Sequence, residues 1–487
     1  MEDLNPSIPN DFHIYLSQEN GDKSVAKILF IVSNDIYVRN YLRSDALHEI
    51  DNRHEVFIFA DEHLALLSEL QESENFAGTF SYAPKISQRH HLLFSILMWR
   101  YRKRSRTFLY RWMRLSQWGM VEKQSGAIRF GISFLKWALA GLRNQDALIP
   151  PILGSKFLFA LSSWFLKRNL PINEDLEVIV NEVKPDLIVF PSAAYEPVGI
   201  DAIRLGKHSG IPTLSLIDNW DNLISKTVYW VKPDHLSVWG QQAKEQALLI
   251  HGFDPSSVHL LGTPRFEQYF QARKEKHEYS HQAPYLLFVG SAMPFDEIGA
   301  LHAIEAILAG QKRTPSEIRI IYRPHPWQQK RKVNAVFQSK DFLFTDLDPQ
   351  ISDAYSRGLQ PEKTDASFQP DLDYYPNLLR QAQLVLGPLT TMLFEAVLCL
   401  RPVVALAYFD GIHYTTTQRY FSHFDGLEKA PGFAFCEDPD ELETMILDAI
   451  ISEPIDAGKS DEISSHYLHR DDVPYSKRLA NLIDSLC

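Results

Sequence analysis

The feature that most constrains this chain is a rhythm. Short runs of apolar, branched residues end in turn residues and give way to helical spacing. Lys27-Ile-Leu-Phe-Ile-Val-Ser33 is such a run. It is apolar on both faces, which predicts a strand buried in a parallel sheet. Asn34 and Asp35 turn the chain, Val38, Leu42, Leu47 and Ile50 recur at helical spacing, and Glu55-Val-Phe-Ile-Phe-Ala60 is a second strand. A β-α-β opening implies a parallel sheet with right-handed crossovers. The rhythm returns at 186–190, 213–217, 235–239 and 258–262, and again at 285–289, 318–322, 384–386 and 402–406. Helical stretches such as 241–251, 296–309 and 392–400 lie between. Two such series in 487 residues predict an α/β chain of two doubly wound, Rossmann-like parallel-sheet domains facing a cleft. The first is expected over 25–270, interrupted by a helical, basic insertion at about 85–170. The second is expected over 284–470, with 471–487 a C-terminal helix that could return to the first. The polar stretch 271–283 is the expected linker, and the acidic stretch 346–373, with Pro361 and Pro370, is expected to be an excursion loop.

Several chemistries lose support at once. Ser33-Asn34-Asp35 stands where a dinucleotide-binding turn would carry glycines, which argues against a nicotinamide or flavin cofactor. No G-x-S-x-G or P-loop pattern occurs, so serine hydrolysis and phosphoryl transfer from ATP have little support, and without an H-E-x-x-H or other metal-ligand pattern neither a metal nor a cofactor is expected. Cys399, Cys436 and Cys487 are scattered and suggest a reducing, cytoplasmic setting. The amino terminus lacks a basic start and apolar core, so no signal peptide is expected. The greasiest stretch, 384–409, is interrupted by Glu395 and Arg401 and reads as core, not as a membrane span. The net charge is −12, yet residues 89–143 hold twelve Lys/Arg against one acid, Glu122. Interleaved with Trp99, Phe108, Trp112, Trp118 and Trp137, these cations fit an anionic membrane surface at the inner face of the plasma membrane, or an anionic or lipid-linked acceptor. The plainer alternative is a helical insertion with solvated arginines. Nucleic acid is not an expected partner.

Four turns at strand ends could carry chemistry. Tyr322-Arg323-Pro324-His325-Pro326 follows a strand, and its prolines stiffen the turn. Arg323 offers a planar fork of donors for phosphate and His325 a donor or a proton. The alternative is a rigid turn with a structural histidine. In Gly387-Pro-Leu-Thr390-Thr391-Met-Leu-Phe-Glu395, both threonines fall at a helix start, where their hydroxyls would cap it and free N–H groups attract anions. Glu395, among apolar neighbours, could accept from ribose hydroxyls or complete a capping box. Gly290-Ser291 would let Ser291 donate to phosphate, or is a plain turn. Asp218-Asn219-Trp220-Asp221-Asn222 brings carboxylates that could take a proton from an attacking hydroxyl, and a tryptophan that could stack on a sugar; it also fits an Asp/Asn-rich turn.

The series Arg323-Pro-His325-Pro, Thr390-Thr391…Glu395-Ala, Arg401-Pro402-Val-Val-Ala, Tyr408-Phe-Asp410 and Asp440-Glu441-Leu442 resembles GT-B glycosyltransferases of bacterial surface polysaccharide synthesis. Its order is similar to CDP-glycerol glycerophosphotransferases and polysialyltransferases, and the Thr/Glu arrangement to UDP-GlcNAc 2-epimerases. Gly262-Thr-Pro-Arg265-Phe and Trp220-Asp221-Asn222…Lys226 extend it into the first half, over roughly 185–450. Asp221 stands where the glycerophosphotransferases have a catalytic histidine, which favours a sugar transferase with a carboxylate base. The resemblance implies a nucleotide-sugar donor in the second domain, with His325 on its phosphate and Glu395 on its ribose, and a carbohydrate or lipid-linked acceptor facing the first. On that reading Asp221 is the base, with Asp218 the alternate. Arg323, His325, Ser291, Thr390 and Thr391 steady the leaving phosphate without a metal. A UDP-sugar 2-epimerase, a glycerophosphotransferase and a non-catalytic carbohydrate- or membrane-binding scaffold are the rival expectations.

Overall fold

The computed structural model describes residues 25–101, 105–107, 155–192, 196–274, 284–293, 295–310, 318–325, 337–356, 370–411 and 418–487. Two parallel sheets organise them. The first contains β1 (Lys27–Val32), β2 (Glu55–Asp61), β3 (Phe76–Phe80), β4 (Leu187–Ser192), β5 (Thr213–Ile217), β6 (His235–Val238) and β7 (Val258–Leu260), in the spatial order β3-β2-β1-β4-β5-β6-β7. The second contains β8 (Tyr285–Val289), β9 (Arg319–Arg323), β10 (Thr345–Leu347), β11 (Leu384–Pro388), β12 (Val403–Leu406) and β13 (Phe433–Cys436), in the order β10-β9-β8-β11-β12-β13. In each sheet the order reverses beside its first strand, and such a switch point opens a crevice at the strands' carboxyl ends.

The apolar runs form these strands because both faces are covered. Ile28 to Val32 are buried, and β1 pairs with β2 on one side and β4 on the other. Three strands escape the sequence rhythm, namely β3, β10 and β13, and all three are sheet edges. β3 has Gly78 at its centre, φ +134°, and its register with β2 slips between Ile58 and Phe59. The expected excursion loop needs correction at its start. β10 and the helix Pro349–Ser356 occupy it, joined at Asp348, which is buried and accepts from Tyr374 Oη at 2.5 Å and Gln350 N at 2.9 Å. Those hydrogen bonds order a stretch whose composition alone reads as loop; residues 357–369 lie outside the described set.

In the insertion, the helices Pro84–Tyr101 and Lys156–Arg168 pack together around Leu93, Ile96, Leu97 and Leu166. Most of the expected basic segment, residues 102–104 and 108–143, lies outside the described residues. Residues 105–107 bind both halves of the molecule. Ser105 Oγ donates to the Ile224 carbonyl at 2.9 Å, and Thr107 Oγ1 lies 2.7 Å from Ser422 Oγ.

The halves share one core. Trp220, Phe266 and Tyr269 of the first pack with Leu393, Phe394 and Tyr467 of the second, and Trp220 stacks on Phe394 at 4.8 Å. Beyond the second sheet the chain crosses back. Gln242 N donates to the His466 carbonyl at 2.9 Å, and His469 N to the Trp239 carbonyl at 2.6 Å. Gly240 is required by this crossing: a Cβ there would lie 2.4 Å from the Tyr467 carbonyl carbon. The helix Tyr475–Leu486 then buries Tyr475, Leu479, Ala480 and Ile483 in the core that covers Ile28, Phe30 and Val32 of β1. Among the described residues no helix is long and apolar enough to cross a membrane.

Candidate functional site

Two π-helical turns flank the cleft on the side of the first sheet. After β1, Asn34 caps a short helix by accepting from Ile36 N at 3.0 Å, and the chain then widens so that Arg43 N reaches Val38 O at 3.1 Å. After β5 the same widening carries Thr227 N to Asn222 O at 2.8 Å. Such i→i+5 turns often occur at functional sites, because they redirect side chains that a regular helix would carry elsewhere. The first turn buries Arg39, whose Nε and Nη2 donate to Asn40 Oδ1 at 3.1 and 3.0 Å. Burial, then the nearby Arg265 guanidinium, lower Arg39 to about 10, so it stays cationic near neutrality. At the end of β4, Glu196 accepts from Tyr37 Oη at 2.7 Å and Ser192 Oγ at 2.6 Å.

The two acids named from the sequence differ sharply. Burial pushes Asp218 up to about 6, against the pull of Arg265, Lys226 and Arg39 and with a push from Glu196. Among the described residues no hydrogen bond reaches its carboxylate. Burial would also raise Asp221, but Lys226, His423 and Ser225 outweigh it and hold Asp221 at about 2. Lys226 Nζ donates to Asp221 Oδ1 and Ser225 Oγ to Oδ2, each at 2.9 Å. Asp221 is thus a fixed anion, while Asp218 is poised close to neutrality.

The second sheet supplies the facing wall. Arg323 ends β9, buried, with its Nε donating to Tyr375 Oη at 3.2 Å and its guanidinium over that ring. Two residues on, burial, then Arg323 and Lys226, hold His325 down at about 3, so its ring is neutral. The charge of Lys226, in the first half, is thus felt by His325 in the second. The turn fits because Gly290, at the end of β8, has no side chain; a Cβ there would lie 2.9 Å from His325 N. Ser291 is buried, donates its N–H to Glu297 Oε1 at 2.9 Å and its hydroxyl to the Leu389 carbonyl at 3.1 Å.

Four side chains sit otherwise than the sequence reading pictured them. Thr390 occupies the N-cap of the helix Thr391–Leu398, but its hydroxyl makes no capping hydrogen bond. Thr391 Oγ1 instead accepts from Trp220 Nε1 across the join, at 3.3 Å. Trp220 is buried among Phe394, His423, Phe424 and Tyr467, so its ring is taken by protein and no face is left for a sugar. Glu395 is wholly buried, and its oxygens accept from Arg265 and Tyr269 Oη of the first half.

Sequence reasoning missed Arg39, Glu196 and His423. Arg39 had a signal, a cation set between the apolar positions Val38 and Leu42. His423 had none, set in the aromatic stretch Phe421 to Phe424. It packs edge-on to Trp220 at 5.1 Å, and burial lowers it to about 4 even with Asp221 nearby.

No family model and no curated protein matches this chain. Solved structures do share its shape. The UDP-GlcNAc 2-epimerase from Methanocaldococcus jannaschii aligns with a TM-score of 0.50 at 11% identity, over 94% of this chain and 99% of that one. A Listeria monocytogenes structure described as a UDP-N-acetylglucosamine 2-epimerase aligns with a TM-score of 0.52 at 12% identity, over 95% of this chain and 96% of that one. Likeness at such identity is one of architecture, and it agrees with the strand order of both sheets: the chain has the GT-B fold, two Rossmann-like domains facing a cleft.

Proposed function

We propose that this chain is a glycosyltransferase that moves a sugar from a nucleotide-activated donor to a hydroxyl of a carbohydrate or lipid-linked acceptor, in the making of a surface polysaccharide. The observation that carries the reading is the opposition of chemistries across the cleft. A carboxylate poised near neutrality, Asp218, stands at the end of β5, and the donors Arg323 and His325 stand at the end of β9. Transfer needs both, a base for the attacking hydroxyl and donors for the departing phosphate.

In this reading Asp218 takes the acceptor's hydroxyl proton as the new C–O bond forms at the sugar's anomeric carbon. The bond from that carbon to the phosphate oxygen breaks, and its electron pair leaves with the nucleotide. Lys226, fixed by Asp221, and the Arg323 guanidinium stabilise the charge that grows on that oxygen, while neutral His325 donates a hydrogen bond. Base duty thus passes from Asp221 to Asp218, since an ion-paired acid held at about 2 is a weak base at neutral pH. Ribose reaches Glu395 only if Arg265 and Tyr269 release it.

Calorimetric titration with CMP, CDP, UDP and GDP tests the reading, beside His325→Ala and Arg323→Gln. Tight binding of one nucleotide, weakened at least tenfold by both substitutions, supports it and names the donor class. Absence of binding by folded wild-type protein overturns it. A second reading, epimerisation of a UDP-sugar, is favoured by the enzyme names of the two structures that share the fold. Turnover of UDP-GlcNAc with no acceptor present would select it.

A further inference from the structure

The helix Lys156–Arg168 is apolar on two opposite sides. Its inner side packs Phe159, Ser163 and Leu166 toward the helix Pro84–Tyr101. Its outer side carries Phe157, Leu161, Trp164 and Phe165, spaced at one, two and just over two turns, and these are 75%, 51%, 56% and 57% exposed. Positions i, i+4, i+7 and i+8 share one face of a helix. Singly exposed apolar residues are ordinary, but four large ones in one stripe mark an interaction surface.

Charge says what kind of surface meets it. The two helices together carry Lys85, Arg89, Arg100, Lys156, Lys167 and Arg168 and contain no Asp or Glu, although the whole chain has a net charge of −12. Lys156 and Arg168 stand at the two ends of the stripe, and the Arg168 guanidinium lies over the Trp164 ring, 5.5 Å from its centre. Arg100 and Lys167 turn to the inner side, over Phe159 and Trp230, each at 5.2 Å. An apolar stripe rimmed by cations suits the boundary between headgroups and acyl chains of an anionic bilayer, where aromatic rings enter the boundary and basic heads stay in water.

We infer that the helix Lys156–Arg168 is an interfacial membrane anchor, lying flat on an anionic phospholipid surface through Phe157, Leu161, Trp164 and Phe165. The inner face of the same helical pair touches Val228, two residues past the turn that holds Lys226. Ser105 and Thr107, next in sequence to this pair, tie it to Ile224 and Ser422. Docking therefore sets the cleft beside the bilayer, within reach of a lipid-linked acceptor. The anchor stands independently of which reaction the cleft performs.

The test is sedimentation of the full chain with vesicles of phosphatidylcholine alone and of phosphatidylcholine mixed with phosphatidylglycerol, beside the double variant Trp164→Glu, Phe165→Glu. Both residues are exposed, so the variant keeps the wild-type unfolding midpoint. Wild-type protein is expected to partition onto the anionic vesicles at least tenfold more than onto the neutral ones, and the variant to lose at least tenfold of that binding. A second variant, Lys156→Gln with Arg168→Gln, both exposed, is expected to weaken binding to anionic vesicles while leaving the neutral background unchanged. Equal partition of wild type and the glutamate variant overturns the inference. So does a wild-type dimer in the absence of lipid that becomes monomeric in the glutamate variant, which would make the stripe a protein interface.

Discussion

Arg265, in the turn after β7, holds its guanidinium on the carboxylate of Glu395, one turn into the helix that follows β11. Tyr269 Oη donates to the other carboxylate oxygen. These contacts bury an ion pair in the join between the two domains, across which Arg273 also meets Asp461 at 2.6 Å. Removing one partner of a buried pair strands the other's charge, which costs about 3–5 kcal/mol. Glu395→Ala is therefore expected to lower unfolding free energy by that amount. Glu395→Gln, which still accepts from Tyr269, should cost less. Urea unfolding at neutral pH measures both, and a loss below about 1 kcal/mol for the alanine variant contradicts the buried pair.

The unequal acids predict a pH profile. With Asp218 titrating at about 6, transfer falls away as pH drops through 6, because the base becomes protonated. Asp218→Asn should remove that limb together with roughly a hundredfold or more of kcat. Asp221→Asn should lower activity by loosening Lys226 while leaving the limb in place. A limb that persists in Asp218→Asn would reassign the base.

His423 predicts a pH dependence of stability. The fold holds it at about 4, below the ordinary 6.5, because burial disfavours its charged form. Between those values the unfolded chain takes up a proton that the fold refuses. Its contribution to stability is therefore complete above about 6.5 and lost progressively as pH falls toward 4. Asp201 and Asp218, raised to about 6 by burial, slope the opposite way over part of that range, so the comparison must be between variant and wild type. From pH 7 to pH 5, His423→Gln should lose roughly 1–2 kcal/mol less stability than wild type. Equal losses would mean that His423 titrates normally in the fold.

How much of this was legible depended on where each residue sits in the sheets. Central strands such as β1 and β4 are buried on both faces, and that demand writes a continuous apolar run. Edge strands have one neighbour, and β3 and β10 carry Gly78 or polar residues that a run cannot contain. The strand-end turns at Arg323, Thr390 and Asp218 were readable because prolines, glycines and clustered acids mark a chain leaving a sheet. The partners were not. That Glu395 meets Arg265, or that Trp220 is consumed by Phe394, follows from how two domains close on each other, and no local pattern encodes it.

The returning helix predicts one more result. Leu479 is fully buried against the core of the first sheet. Leu479→Ala is expected to cost about 2–5 kcal/mol, because the cavity lies in a packed interior. The loss should appear in the unfolding of the first domain, read by chemical denaturation, and a loss under about 1 kcal/mol would mean that the helix packs loosely.

That helix also sets an order of assembly during synthesis. Domains ordinarily fold as they emerge, the earlier one first. Here β1 to β7 leave the ribosome with one face of the sheet only partly covered, by Tyr41, Leu47 and Ile50 among others, since Tyr475, Leu479, Ala480 and Ile483 are made only after the second sheet is complete. The first domain to be translated is thus the last to be sealed. Throughout that interval the flank that Tyr475, Leu479 and Ile483 will cover stays greasy and open, and a nascent chain halted before Tyr475 is a natural client for chaperones.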